Sequence, residues 1–539
     1  MRSFARLNTR LGAVVATTAL TVAGLSVATP SAQAAPAPDP LGLTTGTTWL
    51  AGQLTNGIVR NDQFNFDDYG LSVDIAFALQ QIGGQAATVS AISDALEPGA
   101  STNYYASTFN GTTTTYAGSL AKLLVLAQLT NNTPTSYNGV NLVTALEDRT
   151  SATGPIVGRV EDANNSFGDA NVLGQAYAAR ALAAAGSSEA TNARNFLLQQ
   201  QCPNGGFRLA FTADKTAAGQ SCTDNAQAQV DATAVATLQL AAIGGNAGAI
   251  TNAKAYLTTT QQASGAWGGG AGTSAANANS TGLAATALGD TAASVKAATW
   301  LRDRQATYYD ACTKLSSAVG AIAYDDAGLA TGRSAGISKT NRDEFRRATA
   351  QALPALQYLQ TELGNVTPSL TGPTGYVKAL SSPTFTVTGL PVGDEACLST
   401  QGALAGGTVT STAPYTRALK MPFAGASGAT SRVITVRDRN NHLDTVTVKI
   451  LGAKTLAVTK SKFRNKRSKF ATVTIYGLAP GERASIFFRG QLKGRGTADS
   501  AGHFRRSVWT GRKLGKGIVT GYGQFGDVRK GSTKIKVVK

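Results

Sequence analysis

Small and apolar residues fall at helical spacing in six segments of the chain: "GLSVDIAFALQQIGG", "YAGSLAKLLVLAQL", "NVLGQAYAARALAAAG", "VDATAVATLQLAAIGG", "STGLAATALGD" and "FRRATAQALPALQYL". Aligned on Leu79, Leu126, Leu182, Leu240, Leu288 and Leu356, they place Ser72, Ser119, Gln175, Thr233, Thr281 and Thr349 seven residues back. Small residues flank that position in every copy, which predicts helices packed tightly side by side rather than isolated amphipathic ones. The anchors stand 47 to 68 residues apart, enough for a second helix and a loop in each unit.

The second helix has its own pattern. Trp49-Leu50, Phe196-Leu197, Tyr256-Leu257 and Trp300-Leu301 each precede a Gln and, in most copies, a glycine turn. "NARNFLLQQQCPNGGFR" and "NAKAYLTTTQQASGAWGGG" match in register, Gln201 with Gln261 and Gly205-Gly206-Phe207 with Gly265-Ala266-Trp267. Copies two and three, near Ile92 and Leu142, are degenerate. One such unit cannot bury both of its faces, but six closed into a ring can. The motif then reads as the joint between an outer helix and the next inner one. Gly265 permits the turn, Gln261 hydrogen-bonds orphan backbone groups and Trp267 covers the joint.

"KAYLTTTQQASGAW" resembles the Gln-Trp repeat of squalene cyclases and prenyltransferase-type proteins, a family whose fold is an α6/α6 toroid. The resemblance covers residues 41 to 364. The same ring also serves cobalamin carriers and complement thioester domains, so the resemblance implies architecture ahead of activity.

The pattern changes after "TELGNVTPSLTGPTG". Over residues 365 to 452, "TFTVTGL", "RVITVRD" and "DTVTVKIL" alternate between turn residues and predict a small antiparallel sandwich. Residues 453 to 539 repeat the style with "ATVTIYGL", "ASIFFRG" and "TKIKVVK"; in the last, Ile535 and Val537 face in while Lys534 and Lys536 face out. Both stretches resemble bacterial immunoglobulin-like modules. The fold class expected is therefore α then β, a toroid followed by two β-sandwiches.

Charge separates those two modules. Residues 453 to 539 hold 21 Lys or Arg against 3 acids, whereas the remaining 452 residues carry 28 of each sign. Six of the cations, Lys460, Lys462, Arg464, Lys466, Arg467 and Lys469, lie within ten residues. Such a surface is either simply solvated or attracts an anionic polymer. An anionic cell-envelope polymer or glycan is the partner expected; nucleic acid is not, for a secreted sandwich without aromatics interleaved on a basic face.

Secretion is read from residues 1 to 34. "MRSFARLNTR" carries three arginines, an apolar stretch follows, and Ala32-Gln33-Ala34 offers an A-x-A cleavage site, with a mature start near Ala35. The alternative, a retained membrane anchor, fits less well with the Pro-rich spacer that follows at once. No other stretch has the apolar length of a membrane span. Four cysteines without C-x-x-C spacing suit an oxidising compartment. Cys202 and Cys222 bracket one insertion and are expected to pair, leaving Cys312 with Cys397 to tie the last repeat to the next domain.

The resemblance to cyclases implies a D-x-D-D acid and an aromatic-lined cavity. Neither is found; Asp67-Asp68 lacks the spacing, and the ring has only Trp49, Trp267 and Trp300. Both histidines, His442 and His503, fall in the β modules, so the zinc of prenyltransferases has no ligands in the ring. The thioester signature G-C-G-E-Q is missing. No metal or cofactor is expected.

Glycan cleavage would need two opposed carboxylates. Asp67, Asp68, Asp74, Asp169, Asp224, Asp231 and Asp343 sit at inner-helix starts, where capping alone accounts for acids. In a toroid those ends point to one mouth, where Tyr69, Tyr116, Asn165, Phe167 and Trp267 would join them in a small-ligand or sugar site. The Gln-Gly-Trp context of Trp267 reads equally as repeat packing. The function expected is a secreted, non-catalytic binding or scaffold protein. The alternatives are a toroid-class enzyme, either a divergent terpenoid cyclase or a polysaccharide lyase or hydrolase, and a small-cofactor carrier resembling the cobalamin binders.

Overall fold

The computed structural model describes residues 37–130, 132–165, 170–270, 272–361 and 367–539. The expected leader, Phe167 and Asp169 lie outside the described residues. The chain is helical in its N-terminal part and β-stranded thereafter.

All six small-residue segments fold as helices. In chain order the α-helices longer than one turn are α1 (Leu41–Ala51), α2 (Tyr69–Ile82), α3 (Ala86–Leu96), α4 (Ala117–Leu129), α5 (Leu142–Glu147), α6 (Val172–Ala184) and α7 (Ala190–Gln199). They continue as α8 (Val230–Ile243), α9 (Ala247–Thr260), α10 (Ala278–Leu288), α11 (Ala292–Arg302), α12 (Asp326–Ala335) and α13 (Arg342–Ala352). The segments α2, α4, α6, α8, α10 and α13 form an inner set in which each helix packs on the next and α13 packs on α2. Helices α3, α5, α7, α9 and α11 back the inner helix they follow, and α1 backs α13 and the 3-10 turn after it. Helix α12 is an insertion in the last repeat.

The small flanking residues are explained by how closely the inner helices approach. A Cβ placed on Gly174 of α6 would stand 2.8 Å from the Gly118 Cα of α4, and one on Gly282 of α10 only 2.3 Å from the Ala352 Cα of α13. Larger side chains would force these pairs apart.

The position seven before each anchor has one task in five repeats. The side-chain oxygens of Ser72, Gln175, Thr233, Thr281 and Thr349 accept hydrogen bonds from the backbone N–H groups of Val59, Val160, Phe207, Trp267 and Ile322, at 2.8 to 3.0 Å. Each bond fixes the joint before an inner helix to that helix. Ser119 departs from the pattern and lies instead with Tyr104 on the wall of a cavity.

A second lock acts between outer helices. Gln201 donates to Gly205 O and Ala249 O, Gln261 to Gly265 O and Ala293 O, and Gln305 to Gly320 O and Gly42 O. Every one satisfies a turn carbonyl and a carbonyl in the first turn of an outer helix; Gln305 reaches α1 and so joins the last repeat to the first. The turn needs glycine, since Gly265 has φ +92° and a Cβ there would meet Lys296 O at 2.9 Å.

The first sandwich sets a sheet of β1 (Ser369–Thr371), β3 (Thr384–Thr388) and β6 (Tyr415–Ala418) against one of β2 (Tyr376–Lys378), β4 (Glu395–Thr400), β5 (Ala403–Thr408), β7 (Ala429–Asp438) and β8 (Leu443–Leu451). Phe385, Val387, Leu398, Ile434, Val436 and Ile450 fill its core. In the second, β10 (Ala457–Lys460), β12 (Phe470–Tyr476) and β15 (Phe504–Trp509) face β9 (Lys454–Thr455), β11 (Arg464–Lys466), β13 (Arg483–Phe488), β14 (Gln491–Thr497), β16 (Gly515–Tyr522) and β17 (Arg529–Val538). Ile535 and Val537 are buried in that core, with Val473, Ile475 and Ile486.

Neither sandwich hangs on a loose tether. Disulfides link Cys202 with Cys222 and Cys312 with Cys397, and the second joins the helical part to β4. Beside it Arg333 of α12 makes a two-pronged pair with Glu395 at 2.8 and 2.9 Å and also binds Asp310. Arg302, which burial pushes down to about 10, donates to Arg439 O in the first sandwich. Between the sandwiches, fully buried Arg529 pairs with Glu482 at 2.7 Å and donates to Gly428 O and Gly452 O. Removing either partner would strand a buried charge, which is far more costly than the pair is stabilising.

Candidate functional site

The residue two after each joint-fixing position turns toward the axis of the inner helices. Asp74, Tyr177, Val235, Leu283 and Gln351 all line one cavity of about 170 Å³, to which every inner helix contributes. Phe77 and Tyr177 stack across it, ring centroids 5.3 Å apart, and Leu238 and Leu283 complete its apolar wall. A second cavity of about 380 Å³ adjoins it, shares Asp74, Lys122 and Leu173, and is lined further by Tyr104, Tyr116, Ser119, Asp162 and Arg347.

An ion pair marks the boundary between the two. Lys122 Nζ lies 2.6 Å from Asp74 Oδ1 and 5.5 Å from the Tyr177 ring centroid. Burial works against the ammonium, but the Asp74 carboxylate together with Tyr104 and Tyr177 outweighs it and holds Lys122 above its ordinary range. Burial also raises Tyr104 and Tyr177, so both stay neutral phenols able to donate. An ammonium has three donors, and Asp74 takes one.

Asp231, in the first turn of α8, lines the smaller cavity. Its Oδ1 is buried without a hydrogen-bond partner, as is Oδ1 of Asn279, the residue of α10 in register with it. Burial raises the Asp231 carboxyl above the usual range, with the Ser280 hydroxyl acting in the opposite sense. Burial beside an apolar chamber thus penalises the charged form of this acid.

The expected site residues divide. Asp74, Tyr116 and Asp231 line the cavities; Asp68 caps α2 through Leu71 N and pairs with Arg347 on the cavity wall; Asn165 donates to Asp162, also on that wall. Tyr69, Asp224 and Trp267 do not belong. The Tyr69 hydroxyl packs against Gly99 beyond α3, because the first residue of α2 faces outward. Asp224 caps a 3-10 turn through Ala226 N. Trp267 is fully buried and donates to Leu257 O at 2.8 Å, covering its joint. Asp67 and Asp343 are held by Arg60 and Arg346.

Sequence reasoning missed Lys122, Tyr104, Tyr177, Phe77 and Arg347. For the first a signal exists: Lys122 is the one charge in "AGSLAKLLVLAQL", three residues after the repeat's Ser119. Such a lysine either faces a lumen or is a fault in the core.

No family model matches the sequence, and no curated protein matches it. Among solved structures it is similar to a protein from Actinoplanes, at 18% identity and TM-score 0.38, over 59% of this chain and 98% of that one. It is similar also to the type II terpene cyclase MstE from Scytonema, at 13% and 0.40, over 59% and 96%. A third of the chain is similar to the Yersinia pseudotuberculosis adhesin InvE, at 15% and 0.18, over 33% of this chain and 61% of that one. Likenesses this remote carry no residue roles across.

Proposed function

We propose that the chain is a secreted binding protein. Residues 41 to 364 form an α6/α6 toroid of the terpenoid cyclase and prenyltransferase type. Residues 365 to 452 and 453 to 539 form two immunoglobulin-like sandwiches that hold it at the cell envelope, after a leader over 1 to 34 is removed. The ring lumen takes one small amphipathic molecule, its apolar body against Phe77, Tyr177, Leu238 and Leu283 and its polar group toward Lys122 and Tyr104. The observation that carries this is the lumen itself, a chamber built by all six inner helices with a half-buried, charge-matched donor cluster at its boundary.

A charge-matched pair suits binding better than hydrolysis, because Lys122 neutralises the one carboxylate at the boundary. Titration with 1-anilinonaphthalene-8-sulfonate tests the proposal: fluorescence should saturate at one probe per chain and fall away in Leu283→Trp, which fills the chamber. Equal binding by that variant would contradict it.

A second reading has one observation behind it. Asp231, desolvated and with an unpartnered oxygen over an apolar, aromatic chamber, has the makings of a general acid. A divergent terpenoid cyclase would use it to protonate an alkene. Cyclic product from squalene or a linear prenyl diphosphate, abolished in Asp231→Asn, would establish that reading; no product in either protein would remove it. The polysaccharide-cleaving and cofactor-carrier alternatives have no comparable observation in their favour.

A further inference from the structure

The outer face of β10, β12 and β15 is the most unusual surface of the second sandwich. Alternation along β12 sends Ala471, Val473 and Ile475 into the core and Phe470, Thr472, Thr474 and Tyr476 outward. The antiparallel register sets Phe470 opposite Trp509, Thr472 opposite Ser507 and Thr474 opposite Arg505, and Tyr476 meets the His503 ring at 4.5 Å. The result is a ladder, aromatic at both ends and hydroxyl- and guanidinium-bearing between. Phe470 is 63% exposed and Trp509 44%, although a core of apolar residues lies directly beneath. At about 3.4 Å per residue the two aromatic ends stand ~20 Å apart.

Cations surround this face without acids to answer them. Of the 21 basic residues in 453 to 539, only Arg529 pairs with a carboxylate. Lys493 sits over the Trp509 ring at 5.9 Å, and with Arg489, Arg512 and Lys513 it lines a groove of about 390 Å³ at the Trp509 end. The expectation that this module lacks aromatics on its basic face is thereby corrected: strand alternation puts Phe470, Tyr476 and Trp509 outside.

We propose that this face binds an extended acidic polysaccharide built of ring sugars. Sugar rings stack their C–H faces on Trp509, Phe470 and Tyr476, the hydroxyls of Thr472, Thr474 and Ser507 meet sugar hydroxyls, and Arg505 with the flanking lysines and arginines takes the acid groups. A polymer with charge but no rings would use only the cations. A nucleic acid strand would also stack, but two disulfides suit an oxidising compartment, where such a strand is not the usual polyanion. The inference deepens the envelope-retention part of the proposed function and rests on it.

The test uses the full chain and the variant Phe470→Ala/Trp509→Ala, whose exposed positions leave the core intact and whose melting temperature serves as the folding control. Binding is measured in 0.3 M salt to polygalacturonate, polyphosphate, single-stranded polythymidylate and 1:1 phosphatidylglycerol–phosphatidylcholine vesicles. Polygalacturonate should bind, and the double variant should weaken it by about tenfold or more while leaving polyphosphate binding unchanged. Arg505→Gln should weaken polygalacturonate as well. Polyphosphate bound without polygalacturonate would overturn the inference and leave charge-based retention standing. Polygalacturonate bound through Trp509 with no affinity for polyphosphate would support the inference and remove retention by charge alone. Unchanged polygalacturonate binding in the double variant, or preferential binding of vesicles or polythymidylate, would overturn it.

Discussion

Replacing Thr281 by Val removes one oxygen from the joint between α9 and α10 and changes almost nothing in volume. Thr281 is fully buried, and its Oγ1 accepts the Trp267 N–H at 3.0 Å. Trp267 O keeps its bond from Asn277 N, so the only group left without a partner is one buried amide. That costs about 1–3 kcal/mol, with no cavity to add. Near the middle of the range, ~2 kcal/mol is about a thirtyfold rise in local opening. Hydrogen exchange resolved to residues 262 to 277 reads it directly, and suits a multidomain chain better than a single global transition. Thr281→Ser keeps the oxygen and loses one methyl, costing about 1 kcal/mol and leaving the Trp267 amide protected. If Val exchanges no faster than wild type, or Ser as fast as Val, the side-chain oxygen is not what fixes the joint.

Lys122→Met leaves Asp74 without its partner in the lumen. Because the two side chains keep 27% and 20% exposure, the loss should be about 2–3 kcal/mol rather than the full cost of a buried orphan, and Asp74→Asn in the same chain should restore most of it by denaturant melting. Asp231 has a folded pKa raised above 3.8, so the folded state binds more protons between the two values and its stability falls as pH rises through that window. Asp231→Asn has no such term, so wild type minus variant melting temperature should decline as pH rises from 3.5 to 7; an increase would contradict the burial of that acid. Washing cells with about 1 M salt, where screening shortens to roughly 3 Å, should release the full chain, and a chain ending at Gly452 should collect in the medium. Full-length protein that resists the wash would place the attachment elsewhere.

Periodicity made the helices and their roles legible because crowding acts on every repeat alike. The demand for a small side chain or a joint-fixing oxygen recurs at Ser72, Thr233, Thr281 and Thr349, and glycine recurs where φ is positive. The site was less legible because it is the one place where repeats must differ. Asp74, Tyr177, Val235, Leu283 and Gln351 occupy equivalent positions with five different side chains, and Lys122 enters from the neighbouring one. Trp267 misled for the opposite reason: a large aromatic in a repeated motif serves the repeat. On the second sandwich, alternation named the buried Ile535 and Val537 of β17 correctly, but only the pairing of Phe470 with Trp509 and of Thr474 with Arg505 assembles the outer ladder, and register is not written in either strand alone.

Whether the lumen is a binding site is tested most directly by native mass spectrometry of the full chain released by a high-salt wash from cells that secrete it, beside Leu283→Trp prepared in the same way. Wild type should carry one small molecule per chain, released on denaturation, and the variant, with the same circular dichroism, should carry none. A wild-type chain with no bound mass, or the same mass on both proteins, would contradict the account.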